Sequence, residues 1–341
     1  MSAELYIANS MTHKKNSLIQ NVDAFCQKYN LLPPDSSIII GLSGGPDSMF
    51  LLNYLARQQK IKNLKVIAAH LDHQWRKNSA DDVTFCAEQA KSHGIAFISA
   101  TALELGFKKT YHGSQEEYGR IMRRSFFEMV KQQENANLIA LAHHEDDQVE
   151  TFFIRLIRGT TISGLCSMRP QQGSYIHPLL DISKENIIEY LQTHDIPYLI
   201  DPSNESSDFL RNRIRHQVIP VLESIDTRFT KNTLRTIESL QETDDFLTDI
   251  TKKTIEQISF IENNTLFLKI KELKILNSYL QKRVLFSWLC MQHIPVRPSA
   301  AWLKEILRFL FQQHGGTHQI HPEWSISKNK GIASIRKEQL E

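Results

Sequence analysis

Three consecutive isoleucines at 38–40 lead into a turn with two glycines, and an apolar pattern at helical spacing follows: IIIGLSGGPDSMFLLNYLA fills 38–56. The β-branched run predicts a strand over 37–42, and the pattern after the turn predicts a helix to about residue 59. Upstream, Leu18, Ile19, Val22, Phe25 and Cys26 recur at helical spacing, so a helix is expected over 17–29 after a poorly ordered lead-in at 1–15. LKVIAAHL at 64–71 reads as a second strand, 81–93 as a helix with Val83, Cys86, Ala87 and Ala90 on one face, and 95–99 as a third strand. SQEEYGRIMRRSFFEMVKQ at 114–132 is a longer helix, expected to bury Tyr118, Ile121, Met122, Phe126 and Met129. The short apolar run 138–142 is a fourth strand and passes directly into HHEDDQVETFFIRLIRGTTISGL. Alternating strands and helices predict a parallel sheet with right-handed crossovers, whose ligand site lies at the carboxyl ends of the strands.

Farther on, 170–180 reads as a loop and a short extended run. A helix over 183–195 has Ser183 as its N-cap. A turn at Asp201, Pro202, Ser203 and Asn204 precedes a helix carrying Arg211, Arg213 and Arg215, the densest basic patch in the chain. After 224 the pattern changes to long helical stretches at 230–258, 271–291 and 299–313, with Trp288, Trp302, Leu303, Ile306 and Phe309 as core. Short extended runs at 265–270, 319–320 and 332–335 lie between them, and the glycine pair at 315–316 marks a turn. The expected fold class is therefore α/β: a parallel-sheet, Rossmann-like nucleotide-binding domain over 36–222, preceded by a lead-in and helix over 1–35 and followed by a smaller, mainly helical domain over 223–341.

Composition changes this picture little. The balance of 41% hydrophobic and 23% charged residues is that of an ordinary globular protein, and a net charge of +2 means that nucleic-acid binding must rest on a local basic patch. Cys26, Cys86, Cys166 and Cys290 are far apart with no CxxC, so reduced thiols in a cytoplasmic protein are expected rather than a zinc knuckle or redox motif. No secretory h-region and no apolar run long enough to span a bilayer is present, so no membrane partner is expected. The oligomeric state is left open, a homodimer included.

The chemistry gathers at predicted strand ends. A glycine-rich turn that ends a strand and opens a helix offers unpaired backbone N–H groups and the positive end of a helix dipole to an anion. Gly44 and Gly45 let the backbone approach a phosphate, Ser43 and Ser48 add hydroxyls, and Asp47 can hold magnesium or bond nearby N–H groups. No GKS or GKT occurs at Walker spacing. His70, Asp72, His73 and Arg76 fall at the active edge after the second strand, although a solvated loop would explain them alone. Arg120, Arg123 and Arg124 lie off the buried face of their helix, where the two arginines at i, i+3 could grip phosphates or merely face solvent. His143, His144, Asp146, Asp147 and Glu150 fall where the fourth strand meets a helix; carboxylates there suit magnesium and also complement the helix dipole. The two histidines lack a third ligand at zinc spacing.

SGGPDS at 43–48 resembles the SGGxDS loop of the PP-loop (N-type) ATP pyrophosphatases. The wider series resembles the tRNA(Ile)-lysidine synthetases: LDHQWRKNSADD at 71–82, EEYGRIMRRSFF at 116–127, AHHEDDQVETFFIRLIRGTTISGL at 142–165, HPLL at 177–180 and DPSNESSDFLRNRIRHQVIP at 201–220. The likeness is strong over about 36–222 and concerns layout only after 224, where the last small domain of longer members is expected to be missing. Gly119 and Arg124 stand where the family has alanine and tyrosine, His177 where it has arginine, and Gln74 where it has glycine.

The resemblance implies ATP-dependent ligation of free lysine to the wobble cytidine of the CAU-anticodon isoleucine tRNA, with AMP and pyrophosphate released. It implies ATP contacts at Ser43, Gly44, Gly45, Pro46, Asp47, Ser48, Ala69 and His70, and Mg2+ at Asp47, Asp146 and Glu150. Catalytic roles are expected for Asp47, Asp147, Arg211, Arg213 and His143, with the base that deprotonates lysine left open among His143, His144 and Asp147. tRNA contacts are expected at Arg76, Arg120, Arg123, Arg158 and Arg215. The rivals are a tRNA thiolase, a GMP or NAD synthetase, and an RNA-binding protein on a decayed pyrophosphatase fold.

Overall fold

A computed structural model describes residues 18–76, 78–107, 115–200, 210–295 and 299–337. The lead-in expected at 1–15 and the turn at 201–204 lie outside them. The chain divides into two compact units, Met1–Leu240 and Gln241–Glu341.

The first unit starts with helix α1 over 18–28. It continues with β1 (Ser37–Gly41), α2 (Pro46–Lys62), β2 (Lys65–Asp72), α3 (Ser79–Ser92), β3 (Ala96–Thr101), α4 (Gln115–Gln133), β4 (Leu138–Ala140) and α5 (Glu145–Arg158). Then come α6 (Ile162–Leu165), β5 (Gln171–Gln172), β6 (Tyr175–Ile176), α7 (Lys184–Thr193), α8 (Leu210–Arg213), a π-helical segment (Ile214–Val218) and α9 (Ile219–Ile225). The long helix α10 (Phe229–Ile258) contains the boundary between the units.

The sheet order is β3-β2-β1-β4-β6-β5, parallel except where β5 meets β6. The chain moves outward from β1 to β2 and β3, then returns to the other side of β1 as β4. This reversal opens a crevice at the carboxyl ends of β1 and β4, the usual ligand position in an open α/β sheet. Helices cover both faces, which is why the isoleucine run shows no alternation: Ile38, Ile39 and Ile40 are all fully buried. Ile38 and Ile40 join Val66, Ala68, Phe50 and Leu51 on the α2 side, whereas Ile39 joins Ile67, Met122 and Phe126 on the α4 side.

The α4 stripe differs from expectation by its phase. Met122 and Phe126 are buried as expected and Tyr118 packs against the core, but Ile121 and Met129 are exposed. Gly119, Phe127 and Val130 complete the buried face. Positions 121 and 129 share a face with each other, about one residue's rotation away from the 119-122-126-130 stripe.

The second unit contains the rest of α10, β7 (Ser259–Glu262), β8 (Thr265–Lys269), α11 (Ile270–Ile275), α12 (Ser278–Cys290), α13 (Ala300–Phe311), β9 (Gly316–His321), β10 (Trp324–Asn329) and β11 (Ile332–Lys337). The helices expected at 230–258 and 299–313 are present, but the one expected over 271–291 is broken at Leu276 and Asn277 into α11 and α12, because Leu276 is extended and Asn277 caps the new start by accepting from Tyr279 N–H. Trp288 is fully buried and Ile306 buried, with Trp302, Leu303 and Phe309 packed against the core. The short extended runs pair into one antiparallel sheet, β7-β8-β11-β10-β9. Two-residue turns close two hairpins: Asn263 and Asn264, then Lys330 and Gly331, all have positive φ, the conformation that matches strand twist. No helix among the described residues is long and apolar enough to cross a membrane.

Gly41 ends β1 just before the crevice. A Cβ there would come within 2.9 Å of Phe127 Cζ and 3.0 Å of Leu141 Cδ2. Gly41→Ala should destabilise the first unit by about 1–3 kcal/mol, the usual cost of overpacking. Urea unfolding measures this, and an unchanged midpoint would show that the seat is not tight.

Candidate active site

The turn after β1 is built to hold backbone close to a ligand. Leu42 N–H donates to Ala69 O at 2.9 Å, tying the turn to β2. Gly44 has φ of 80°, a conformation favouring glycine, and a Cβ there would meet Leu199 Cδ1 at 2.8 Å. Gly45 is the N-cap of α2 and provides no side-chain cap, with Pro46 following inside the helix start. Ser48 Oγ donates to Gly45 O at 2.9 Å and accepts from Ser43 N–H at 3.2 Å, so the two serines brace the loop. Ala69 and His70 serve the loop in the same way. Ala69 is buried, and the nearly buried His70 holds Leu42 O through Nδ1 at 2.9 Å. Burial pushes the His70 ring below its usual range.

Across the crevice, His144 is the N-cap of α5. Its backbone N–H donates to Asp147 Oδ2 at 3.0 Å. The buried ring has three carboxylates near it: Asp147 Oδ2 at 3.4 Å, Asp47 Oδ2 at 3.8 Å and Asp146 Oδ2 at 3.8 Å. Asp47 comes from the glycine-rich loop, so this ring joins the two sides of the crevice. Lys184, the first residue of α7, donates to both Asp47 oxygens at 2.6 Å. From Asp147 the polar chain continues to Arg211 Nη2 at 3.3 Å. Arg211 Nε reaches Glu150 Oε2 at 2.7 Å, and Arg215 Nε reaches Glu150 Oε1 at 2.5 Å. Arg211 also lies 3.7 Å from Glu116 of α4.

The charge states follow from these surroundings. Burial alone would raise Asp147, but His144, Arg211 and His143 outweigh it and hold the carboxyl well below the usual range. Burial raises Asp146, with Asp147 and Glu150 adding to the effect and His144 opposing it. Glu145 is pushed up to about 7 by burial, then by Asp146 and Asp181. His143 goes down to about 3, chiefly through burial, and is a neutral ring at pH 7. It lies 5.0 Å from the His177 ring, which bonds Arg169 O at 2.9 Å.

Several expected site residues have other positions or partners. Both Glu150 oxygens are taken up by Arg211 and Arg215 at 1% exposure, so it orders two arginines instead of joining Asp47 and Asp146 at magnesium. Arg213, expected beside Arg211, is exposed, and Arg215 takes that place. The i, i+4 spacing puts 211 and 215 on one face. A π-helical segment, Ile214–Val218, follows α8 and ends two residues before Pro220, which has no N–H to offer residue 216. Arg158 is at the far end of α5, about 20 Å along the helix from the His144 cap, and is exposed. Arg76 pairs with Asp82 at 2.6 Å and Arg120 with Glu117 at 2.7 Å, both in the open. Arg123 stays near the crevice, 3.4 Å from His73 Nε2.

The sequence reading missed Lys184 and Glu145. Ser183 was legible as a helix cap, but not which carboxylate the lysine after it would meet. No group of three or more His, Cys, Asp or Glu among the described residues is arranged to hold a metal ion. Asp47 and Asp146 offer oxygen donors as a pair around His144. They sit at opposite ring nitrogens of His144, and Lys184 holds both Asp47 oxygens, so a hard divalent cation would have to displace that lysine and draw most of its shell from nucleotide phosphates and water.

The PP-loop domain family matches residues 14–222. A tRNA(Ile)-lysidine synthase of Bacillus cereus is 32% identical over 298 residues, covering 82% of this chain and 63% of the relative. One from Thermosipho africanus is 32% identical over 295 residues, covering 85% of this chain and 67% of the relative. The chain thus spans less than two thirds of the Bacillus protein's length. Among solved structures, the U34-tRNA thiolase NcsA of Methanococcus maripaludis, with its [4Fe-4S] cluster, superposes with a TM-score of 0.58 at 20% identity, over 67% of this chain and 80% of that one. That likeness is one of fold. The parallel sheet, the SGGPDS turn at its switch point and these matches together give the assignment: the chain belongs to the PP-loop family and, within it, to the tRNA(Ile)-lysidine synthases.

Proposed function

We propose that the chain ligates free lysine to the wobble cytidine of the CAU-anticodon isoleucine tRNA, using ATP and releasing AMP and pyrophosphate. The observation that carries this reading is the polar chain Lys184–Asp47–His144–Asp147–Arg211–Glu150–Arg215, which joins an anion-binding loop to a pair of arginines across one crevice. An activating ligase of this kind must hold a leaving pyrophosphate on one side of the α-phosphorus and an acceptor base on the other.

The N–H groups around Gly44 and Gly45 would cradle the pyrophosphate and stabilise the charge that develops on it. Lys184 at Asp47 adds a positive group beside the loop. Asp47 and Asp146 would hold magnesium, which when bound neutralises phosphate charge. The cytosine carbonyl oxygen attacks the α-phosphorus, and the bond to the bridging oxygen of pyrophosphate breaks. The adenylated oxygen is then a good leaving group, and the lysine amine displaces AMP. Arg211, oriented by Glu150 and Asp147, is positioned to steady the adenylated base. Lysine must first lose its ammonium proton. Groups held far below neutrality are weak bases toward an ammonium, which disfavours His143 and Asp147 in that role. Anticodon loops are accessible single strands whose bases can be unstacked into such a site. In this reading the exposed Arg120 and Arg123 and the second unit contact the tRNA, and the enzyme acts in the cytoplasm.

A sulfur-transfer reading finds little support in the cysteines. Burial pushes Cys26 up to about 11 and Cys86 to about 12, far from a nucleophilic thiolate. All four cysteines are free, and only Cys290 is exposed.

Incubation with ATP, labelled lysine and unmodified tRNA transcript should give lysine incorporation with AMP release; none, beside a working control enzyme, sinks the reading. Asp47→Asn should lower kcat by about a hundredfold or more, the scale of a lost electrostatic stabiliser, while melting normally. Retained activity would remove Asp47 from the mechanism. Arg211→Ala should lose activity on the same scale, whereas Arg213→Ala should stay within about twofold of wild type, as an exposed residue away from the charge chain. Equal losses for the two would show that the face assignment is wrong.

A further inference from the structure

Trp75 follows β2 at the crevice edge and is 46% exposed, unusual for the largest apolar side chain. Its indole stacks on the His73 ring, centroids 4.4 Å apart and planes 16° from parallel. The turn that presents it is fixed. Gln74 is left-handed with φ of 55°, and its N–H donates to the buried Asp72 carboxylate at 2.7 Å.

Gly119 in α4 supplies the room. A Cβ there would lie 2.6 Å from Trp75 Cη2. Glycine inside a helix weakens it, and Gly119 has no positive φ that would call for glycine on backbone grounds. The chain thus accepts a weaker helix to seat a ring that remains half in solvent. A core-packing role would have buried the ring instead.

The position of the seat indicates what it serves. Glu116, Gly119 and Arg123 follow one another along one side of α4. Glu116 lies 3.7 Å from Arg211, and Arg123 lies 3.4 Å from His73. The glycine-rich loop opens α2, which packs on the opposite sheet face from α4. The indole therefore belongs to the acceptor side of the crevice and not to the phosphate side. Burial and the Arg123 charge push His73 down to about 4, so the ring beneath the indole is neutral at pH 7.

We propose that Trp75, braced by His73 and seated on Gly119, is a stacking platform for an unstacked nucleobase of the RNA substrate, next to Arg123 for the adjoining phosphate. The lysidine reading supplies only the identity of that RNA. Every base has a π-face, so stacking of this kind adds affinity with little sequence preference.

The test uses the full chain, the tRNA transcript and a CAU anticodon stem-loop. Trp75→Ala should raise the KM for tRNA about tenfold, as loss of one base–aromatic stack does, with the KM for ATP unchanged and normal melting. Trp75→Phe should recover most of the loss, and Gly119→Ala, which displaces the indole, should fall between. The stem-loop should quench tryptophan fluorescence in wild type and much less in Trp75→Phe, which lacks that indole. An unchanged tRNA KM and unchanged stem-loop affinity in Trp75→Ala overturn the platform, as does a rise in the ATP KM instead, which would place adenine on the ring. If wild type incorporates no lysine but binds the stem-loop with Trp75-dependent quenching, the lysidine reading falls and the platform stands. If it neither incorporates lysine nor shows such quenching, both fall.

Discussion

A carboxylate taken out of water must have partners. Glu150 is 1% exposed and meets this demand with two guanidinium groups. Removing one partner of a buried ion pair typically costs roughly 3–5 kcal/mol, because the remaining charge stays desolvated. The chain from α8 through the π-helical segment is therefore held against α5 by a need of Glu150 and not by apolar packing alone. The same bonds aim Arg211 at Asp147 and leave it near Glu116 of α4. One buried charge thus ties α5 to a stretch some sixty residues farther along the sequence.

The strand order gives that charge its value for chemistry. Because β4 returns on the far side of β1, the glycine-rich loop and the N-terminus of α5 open into the same crevice. Two helix N-termini with positive dipole ends face one space, and His144 and Asp47 meet across it. A linear arrangement with β4 beyond β3 would have put two strands between them. Asp47 and His144 are neighbours only because of this reversal, and the isoleucine run, buried on both faces, fixes β1 at its centre.

Much of this was legible locally. Strand and helix positions in the first unit follow from periodicity and caps, as Ser183 shows by accepting from Asn186 N–H at 3.2 Å. The glycine-rich turn announces itself because its geometry is written in adjacent residues. What escaped depends on distant partners. Nothing near Lys184 reveals that it meets Asp47, a residue 137 positions away. Arg213 and Arg215 are equally basic, and only the phase of a helix interrupted by a π turn separates them. Glu150 looked like a metal ligand because acidic residues at a strand end suit a cation; its use as an anchor required knowing which arginines return to it. In the second unit the extended runs were visible singly, but their pairing into one sheet depends on contacts between β8 and β11 across more than sixty residues.

Departures from a family pattern are read differently once neighbours are known. In sequence, Gly119 in place of alanine weakens a helix and suggests a looser substrate grip. In the structure the methyl group it lacks is the space that Trp75 occupies, so Gly119 and Trp75 form one compensated unit. Gln74 belongs to the same unit, because it holds a left-handed turn where glycine would be easier and secures it with a bond to Asp72. His177 is also accounted for locally: its bond to Arg169 O and its contact with the His143 ring fill the position with a neutral group where an arginine would add charge beside Arg124. Taken one at a time these substitutions look like erosion of a site. Taken with their contacts, each is matched by a neighbour that fills or neutralises the space it leaves.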